Sequence, residues 1–292
     1  MLPSRSLGRT GLAVSCVGLG GGALGELDAT AADRLVGRAL DLGVTLFDTA
    51  RSYGPSEDHL GAALASRASR AIVVTKGGYG ADGAADWTPD AIARGVEGAR
   101  RRLRRDAVDV FLLHSCPRGT LEGSGVVEAL VREREAGRVR FAGYSGEGDA
   151  LAWAAERPEI FDVLECSLGV FDRANEALAR AAAERGQGVL AKRPLSNAPW
   201  RFAERPERGD VATYWDRMRA LGLDPAPLAW DELAVRFAAH APGVASILVG
   251  TASEGHLARA VEGVARGPLP VELAERARGA WEARCGGAPG VI

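Results

Sequence analysis

Short apolar runs recur along the chain and alternate with longer segments whose apolar residues have helical spacing. Runs rich in β-branched and apolar residues are typical of buried strands, whereas apolar positions every three or four residues indicate amphipathic helices. Eight runs predict strands: CVGLG from Cys16, TLFDTA from Thr45, AIVVTK from Ala71, DVFLLH from Asp109, RFAGYS from Arg140, VLECS from Val163, GVLAKR from Gly188 and SILVG from Ser246.

Helical spacing is clearest after Pro89. The apolar residues of this segment fall on one face, and they are Ile92, Val96, Ala99 and Leu103. Its arginines fall on the other face, and they are Arg100, Arg101, Arg104 and Arg105. The arginine run is therefore interpreted as a solvated helix face rather than a phosphate-binding patch. Further helices are predicted over residues 31–42, 122–136, 174–185, 228–240 and 254–264.

Strands that are joined by helices pair in parallel, because only a crossover connection reaches a parallel neighbour. Eight such units in 292 residues predict an α/β fold, a closed (β/α)8 TIM barrel, as a single domain over residues 1–292. An open doubly wound sheet is the alternative, since GLGGGALG from Gly18 superficially offers a dinucleotide-binding turn. That fold also needs an acidic residue at the ribose position of a second strand, and none stands there.

Two segments lie outside the repeating units. RSLGRTGLAVS from Arg5 predicts a short N-terminal β-hairpin ahead of the first barrel strand. Residues 196–227 are predicted to form a long irregular insertion, which is usually a functional lid or disordered.

Composition limits the classes of partner. A formal net charge of -2 and a pI near 6.2 give no electrostatic reason to expect nucleic acid or an anionic membrane. No apolar stretch is long enough to span a membrane and the N-terminus lacks a signal peptide, so a cytoplasmic location is expected. The four cysteines are scattered without metal-ligand spacing, and no metal site is predicted. A small-molecule substrate is the expected partner.

Polar residues end three consecutive predicted strands. The second run ends in Asp48, the third in Lys76 and the fourth in His114, and Tyr53 follows in the loop after Asp48. Carboxyl ends of barrel strands carry active sites, so the four side chains are expected on one rim. Ser56, which follows this loop, is a candidate N-cap for the next helix.

The four groups suit proton transfer to a carbonyl oxygen. An ordinary tyrosine has a pKa of about 10, and we expect Lys76 to favour the Tyr53 phenolate and make the phenol a better acid near neutrality. Asp48 would pair with Lys76 and fix the position of its ammonium. His114 would form a hydrogen bond at the reacting oxygen and orient the substrate.

The chain resembles the aldo-keto reductase family, a (β/α)8 family that reduces carbonyls with a nicotinamide cofactor. The segments that carry this resemblance are LGRTGLAVSCVGLGGG, FDTARSYGPSEDHLGAAL, VVTKGG, RRLRRDAVDVFLLH, GRVRFAGYS and ILVGTASEGHL. The resemblance implies NAD(P)-dependent reduction of an aldehyde or ketone, or the reverse oxidation. It also implies that the catalytic tetrad is Asp48, Tyr53, Lys76 and His114.

The resemblance also implies a set of cofactor contacts. These are Gly21, Ser145, Glu165, Lys192, Arg193, Pro194, Leu195, Gly250, Thr251, Ser253, His256 and Arg259. Three positions depart from the usual pattern: Gly146 replaces an asparagine, Glu165 a glutamine and Lys192 a stacking tyrosine. Lys192 either faces the cofactor or lies solvated at the strand end, and Glu165 and Lys192 could form an ion pair across adjacent strands. NADP(H) is favoured, with His256 and Arg259 as candidate ligands of the extra phosphate, and NAD(H) is the alternative.

Aromatic and other side chains on loops after strand ends could form an apolar substrate pocket, and they are Tyr79, Trp87, Cys116, Trp200 and Phe202. The same aromatic residues could instead pack the loops themselves. Two other functions are weighed: a cofactor-binding regulatory or interaction protein of the same fold with little turnover, and a metal-dependent barrel hydrolase. The intact tetrad disfavours the first, and the absence of an H-x-H pair at a strand end disfavours the second.

Overall fold

Eight parallel strands close into a barrel in the structure, a computed structural model that describes residues 2–65, 67 and 71–291. An antiparallel hairpin precedes the barrel and pairs β1 (Ser4–Ser6) with β2 (Ala13–Ser15). The barrel strands are β3 (Val17–Gly20), β4 (Leu46–Asp48), β5 (Ile72–Gly77), β6 (Val108–His114), β7 (Val139–Ser145), β8 (Val163–Ser167), β9 (Gly188–Lys192) and β10 (Val244–Gly250). The predicted (β/α)8 barrel and its N-terminal hairpin are confirmed.

Helices surround the barrel. Within the described residues they are α1 (Ala29–Asp41), α2 (Ser56–Leu64), α3 (Pro89–Leu103), α4 (Arg118–Gly123), α5 (Val126–Glu135), α6 (Gly148–Ala155), α7 (Glu176–Glu184), α8 (Gly209–Leu221), α9 (Trp230–Ala239), α10 (Glu254–Ala265) and α11 (Val271–Cys285). No helix in this described part is long and apolar enough to cross a membrane.

The core has an inner and an outer layer, because successive side chains of a strand point to opposite faces. In β6, Val110 and Leu112 belong to the cluster inside the barrel, whereas Phe111 and Leu113 pack outward against the helices. Leu7 of the hairpin loop is fully buried in the inner cluster. The hairpin therefore closes the amino-terminal end of the barrel and leaves the carboxyl-terminal end open.

Two predicted segments differ in the structure. The predicted helix over residues 122–136 is two helices, α4 and α5, because Gly125 adopts a left-handed backbone with φ 78 between them. The prediction that residues 196–227 are irregular is wrong, since this insertion contains a 3-10 helix, Pro199–Arg201, and the helix α8. Tyr214 of α8 is fully buried against Phe171 and its neighbours, which gives the insertion a core of its own.

The arginine run of α3 is more than a solvated face. Arg105 lies 2.7 Å from the buried carboxylate of Asp109, and Arg102 lies 2.6 Å from the buried carboxylate of Glu57 in α2. Arg104 ends the helix in a left-handed conformation and is exposed. Some of these arginines therefore neutralise buried acids that neighbouring elements supply.

Candidate active site

Every second residue of a barrel strand points inward, and in five strands an inward residue at the open rim is polar. Leu46, Val74, Leu112, Val163 and Leu190 all point into the barrel. Two residues further along each strand, the same face presents Asp48, Lys76, His114, Glu165 and Lys192. These five groups meet at the carboxyl-terminal end because every strand of the barrel is parallel and in register with its neighbours.

Lys76 is the centre of the buried charges and is 1% exposed. Its Nζ donates to Asp48 and to the Thr49 carbonyl oxygen at 3.1 Å, and it lies 3.2 Å from Oε2 of Glu165. Burial lowers the pKa of Lys76, but Asp48 and Glu165 more than offset it, so the pKa is raised above its ordinary value. Lys76 is therefore a permanently charged ammonium held between two carboxylates.

The two carboxylates compete for one lysine. Burial and repulsion from Glu165 raise the pKa of Asp48 above its usual range, although Lys76 opposes both. Burial also acts to raise the pKa of Glu165, but Lys76 and then Lys192 outweigh it and lower this pKa. Glu165 is consequently the more strongly ionised of the two acids.

Glu165 and Lys192 do not form the ion pair that their adjacent strands would allow. Lys192 lies 3.3 Å from Oε1 of Glu147, a buried acid on the loop after β7, whereas Glu165 faces Lys76. Ser145 donates to Oε1 of Glu165 at 3.1 Å, so this serine is already engaged within the protein. Lys192 is a partnered cation at the cavity rather than a solvated strand end.

Tyr53 lies in the turn between β4 and α2, above the lysine. Nζ of Lys76 is 5.3 Å from the centroid of the tyrosine ring. Lys76 lowers the pKa of Tyr53, but burial and the charges of Asp48 and Glu165 more than offset it and raise the pKa to about 12. Lys76 thus favours the phenolate as expected, but the expectation of a lowered pKa for Tyr53 is wrong for the free protein, because burial and the two carboxylates outweigh the lysine.

One glycine of the GLGGGALG run, Gly25, is required by close packing within the protein and not by a dinucleotide. A Cβ atom at this position would lie 1.9 Å from the carbonyl oxygen of Tyr53. The first loop thus packs directly on the backbone of the tyrosine turn. Ser56 is not the N-cap of α2, since its hydroxyl donates to the Gly21 carbonyl oxygen at 2.9 Å and joins the same two loops.

His114 is a neutral imidazole beside the tyrosine. Its ring lies edge-on to Tyr53, with centroids 6.0 Å apart. Burial, with a further contribution from Lys76, lowers the pKa of His114 to about 3. Nδ1 of His114 is 3.0 Å from the hydroxyl oxygen of Tyr79. At neutral pH the imidazole can therefore serve as a hydrogen-bond donor or acceptor but carries no charge.

A cavity of about 1290 Å³ opens above these groups. Asp48, Tyr53 and His114 line it, whereas Lys76 lies buried behind them. The predicted cofactor residues that line the cavity are Gly21, Glu165, Lys192, Arg193, Pro194, Leu195, Gly250, Thr251, His256 and Arg259. The backbone after β9 is strained where it borders the cavity, because Arg193, Ser196, Asn197 and Ala198 all have left-handed φ values. Such strain is common at functional sites.

Other predicted site residues lie outside the cavity wall. Ser145 is fully buried, and Ser253 caps α10 by accepting a hydrogen bond from the His256 backbone N–H at 3.3 Å. Cys116 is fully buried in the core, which contradicts its predicted place in a substrate pocket. Tyr79 and Trp87 pack on each other beside His114, with ring centroids 5.6 Å apart.

Trp200 and Phe202 do line the cavity. Trp200 also stacks on Trp230, with ring centroids 6.0 Å apart, so it packs its own loop as well as the cavity wall. At Gly146, a Cβ atom would lie 2.5 Å from the Tyr144 hydroxyl. The neighbouring tyrosine therefore leaves no room for the asparagine that the family pattern has at this position.

The cations of the cavity lie largely on the insertion and on α10. Arg201, Arg208, His256 and Arg259 all line it. Arg259 is 3.3 Å from a carboxylate oxygen of Asp231, and Arg208 is 2.7 Å from one of Asp210. Arg259 and Arg208 are exposed guanidinium groups, and an anionic ligand can compete with these surface carboxylates for them.

Sequence reasoning missed Glu147 and the tail that packs near it. Oε1 of Glu147 accepts from the Ser167 backbone N–H at 2.9 Å, and the Val291 carbonyl oxygen accepts from Arg193 at 2.5 Å and from the Ser167 hydroxyl at 3.2 Å. β7 ends at Ser145, but Glu147 stands two residues further on, where the two-residue period of the strand would again point inward, and this spacing is the signal for it. No local pattern signals the tail contacts, because the fold alone brings residue 291 to the rim.

Comparisons with known proteins agree with this architecture. A model of the Aldo/keto reductase family matches residues 16–282. L-galactose dehydrogenase of Arabidopsis thaliana is 33% identical over 208 residues, which cover 66% of this chain and 65% of that protein. 6-dehydroglucose reductase of Novosphingobium aromaticivorans is 34% identical over 123 residues, which cover 38% of this chain and 40% of that protein. The matches thus span less than two thirds of either relative.

A solved structure matches over nearly the whole chain. The holo form of aldo-keto reductase AKR11C1 from Bacillus halodurans has a TM-score of 0.82 and 25% sequence identity, and the match covers 96% of each chain. The family match includes all the barrel strands, from β3 to β10, that bring the rim residues together. The chain therefore belongs to the aldo-keto reductase family.

Proposed function

We propose that the protein interconverts an aldehyde or ketone and the corresponding alcohol, with a nicotinamide cofactor and with Tyr53 as the proton donor. The observation that carries this proposal is the convergence of Asp48, Tyr53, Lys76 and His114 at one rim of the barrel, beneath a single large cavity. A phenol, a fixed cation and a neutral imidazole together suit protonation of a developing alkoxide.

The cavity suits a nicotinamide dinucleotide. At its inner end, Oε2 of buried Glu165 is paired with Nζ of Lys76 at 3.2 Å but accepts no hydrogen bond among the described residues, so it can still accept one from an amide N–H donor. At its outer end, Arg201 and Arg259 offer guanidinium groups and His256 an imidazole N–H donor for phosphate. The bound cofactor supplies or accepts the hydride. We favour NADP(H) over NAD(H), since His256 and Arg259 can bind an additional phosphate.

Each rim residue has a distinct task in this proposal. Tyr53 delivers a proton to the carbonyl oxygen during reduction and removes it during oxidation. Lys76 supplies positive charge beside the phenolate that this transfer leaves, and Asp48 and the Thr49 carbonyl oxygen fix the ammonium in place. His114 donates a hydrogen bond to the reacting oxygen without adding charge.

The tyrosine end of the cavity favours a hydroxylated substrate. Glu26 follows Gly25, which packs on the Tyr53 carbonyl, and both Glu26 and Ser115 line the cavity near the tetrad. These groups can bond substrate hydroxyls. The names of the two curated relatives, L-galactose dehydrogenase and 6-dehydroglucose reductase, refer to sugars. We therefore propose a polyhydroxylated carbonyl compound or alcohol as substrate.

Replacement of Tyr53 by phenylalanine tests the catalytic assignment. We expect Tyr53→Phe to lower kcat by a factor on the order of 10² to 10⁴, because the general acid is lost, while the Kd for NADPH stays unchanged. Fluorescence titration with NADPH and NADH gives both affinities, and oxidation of the cofactor with aldoses and simple aldehydes gives the rates.

Two outcomes would contradict the proposal. Full activity in Tyr53→Phe would remove this residue from the role of proton donor. Tight cofactor binding by the natural protein with no turnover of any aldehyde, ketone or alcohol would instead favour the regulatory alternative, in which the same fold binds the cofactor without catalysis.

A further inference from the structure

We propose that Tyr79 is a positioning residue that fixes the tautomer of His114, so that Nε2 carries the hydrogen and points it to the reacting oxygen. The inference rests on the proposed function only for the use of that hydrogen. The tautomer itself follows from the contacts between Tyr79 and His114.

Tyr79 holds the imidazole in two ways. Its hydroxyl oxygen lies 3.0 Å from Nδ1 of His114, which is within hydrogen-bond distance. Its ring also stacks on the imidazole, with centroids 5.5 Å apart and planes inclined by 26°. A contact through one nitrogen and one face fixes both the rotation of the ring and the nitrogen that it presents to the cavity.

The direction of this hydrogen bond follows from the chemistry of its partners. A neutral imidazole has one donor and one acceptor nitrogen, and its acceptor nitrogen is more basic than a phenol oxygen. A phenol is also a better donor than a neutral imidazole, because its O–H is more acidic. In the 3.0 Å contact Tyr79 therefore donates to Nδ1, and the hydrogen of His114 lies on Nε2.

Ser52 lies on the other side of the phenol. The hydroxyl oxygen of Tyr79 is 3.3 Å from that of Ser52, so the single hydrogen of the phenol has Ser52 Oγ and His114 Nδ1 as alternative acceptors. Nδ1 is the nearer of the two, at 3.0 Å, and an imidazole nitrogen is the more basic acceptor. The Tyr79 hydrogen therefore goes to Nδ1, which leaves Nε2 as the donor nitrogen, and Ser52 is not needed to set this direction.

Trp87 keeps Tyr79 in this position. The two rings lie 5.6 Å apart, and the Trp87 backbone N–H donates to the Gly78 carbonyl oxygen at 2.7 Å. The loop after β5 is thereby folded back on itself, and Tyr79 is only partly exposed. The phenol is therefore part of a packed unit and is not free to rotate away from His114.

As a consequence, Nε2 of His114 is a neutral hydrogen-bond donor that points to the reacting oxygen. Because the imidazole remains uncharged at neutral pH, only one of its nitrogens carries a hydrogen, and the hydrogen bond at Nδ1 selects which one. If Nδ1 carried the hydrogen, Nε2 would present a lone pair to the carbonyl oxygen and repel it. Tyr79 acts through His114 and need not touch the substrate.

Nitrogen-15 NMR of the imidazole groups tests this inference without turnover. The chain has four histidines, so the signals of His114 can be assigned by comparison with His114→Gln. In the natural protein we expect Nδ1 to give the unprotonated signal and Nε2 the protonated one. In Tyr79→Phe, which retains the stacked ring, we expect averaged signals of a mixture of tautomers.

Kinetics provide the second measurement. We expect Tyr79→Phe to lower kcat by about tenfold, the value of one lost hydrogen bond, with KM little changed. Ser52→Ala is the matched control, since it removes a hydroxyl from the same loop and leaves the contact with Nδ1. It should retain both the tautomer of His114 and the kcat.

The results separate this inference from the proposed function. An unchanged His114 tautomer in Tyr79→Phe overturns the inference, as does a change in KM alone, which would make Tyr79 a pocket wall. A shifted tautomer supports it, even if the natural protein proves to have no carbonyl reductase activity. In that case the proposed function fails and the assignment of the His114 tautomer stands.

Discussion

At the scale of single residues, Glu165 determines how strongly Lys76 acts on its neighbours. A glutamine here would leave Asp48 as the only acid in contact with Lys76, and the lysine would act more strongly on Tyr53. With Glu165 present, the pKa of Tyr53 is raised to about 12. The phenol is therefore protonated at neutral pH, ready to donate a proton in reduction but not to accept one in oxidation.

This balance predicts how the two reaction directions depend on pH. We expect the reduction rate to be flat from about pH 6 to about pH 9, and the oxidation rate to rise throughout that range as the phenolate becomes more populated. Glu165→Gln removes a charge that raises the pKa of Tyr53, so it should shift the rise in oxidation to lower pH. Steady-state rates of both variants across pH provide the measurement, and identical profiles would show that Glu165 has no influence on the phenol.

Helix α3 illustrates how neighbouring elements are joined by buried charge. Glu57 of α2 is 1% exposed, accepts from the Thr75 hydroxyl of β5 at 2.6 Å, and pairs with Arg102 of α3. Thr75 precedes Lys76, so this contact lies directly behind the strand that carries the lysine. Removing the arginine would leave a buried carboxylate without its cation.

The neighbouring arginines of α3 offer a matched test. Arg102→Met should lower the free energy of unfolding by on the order of 3 kcal/mol, because an unpaired buried charge is costly. Arg101→Met alters an exposed arginine one position earlier and should change it by less than about 0.5 kcal/mol. Urea denaturation measures both, and equal effects would show that the Glu57–Arg102 pair contributes nothing specific.

The whole molecule separates stability from chemistry along the barrel axis. The hairpin and the inner apolar cluster fill one end, with Leu7, Leu12 and Val14 buried among the barrel residues. The other end contains the buried ionisable groups Asp48, Lys76 and Glu165, with His114 beside them, and burial shifts their pKa values at a cost in stability. The pKa of His114, lowered to about 3 by burial, is one such cost and makes the stability of the fold depend on pH.

The sign of this dependence follows from the two states. The unfolded chain protonates His114 below its ordinary pKa of about 6.5, whereas the folded chain does so only near the lowered value. Stability should therefore fall between about pH 6.5 and about pH 3, by at most about 1.4 kcal/mol per pH unit from this group. Urea denaturation at several pH values should show a shallower loss in His114→Gln, and His256→Gln, which alters an exposed histidine, should behave like the natural protein.

The sequence by itself determined the barrel and the identity of its rim residues. Alternation within short runs reveals which side chains point inward, and the last inward position of β4, β5 and β6 gives Asp48, Lys76 and His114. These are local properties, because the side-chain period of a strand does not depend on distant residues. Tyr53 follows from its place in the loop after Asp48, the family resemblance matches all four residues, and the structure brings the four side chains together.

Only the tertiary structure decided which charges pair and what they do to one another. Lys192 binds Glu147 and not Glu165, Lys76 is shared by two acids, and the pKa of Tyr53 rises where a single lysine was expected to lower it. Cys116 proved to be buried, and the insertion after β9 proved to be partly helical. The physical reason is that Coulomb interactions and burial depend on distances between atoms of different strands and loops, and closure of the barrel sets those distances.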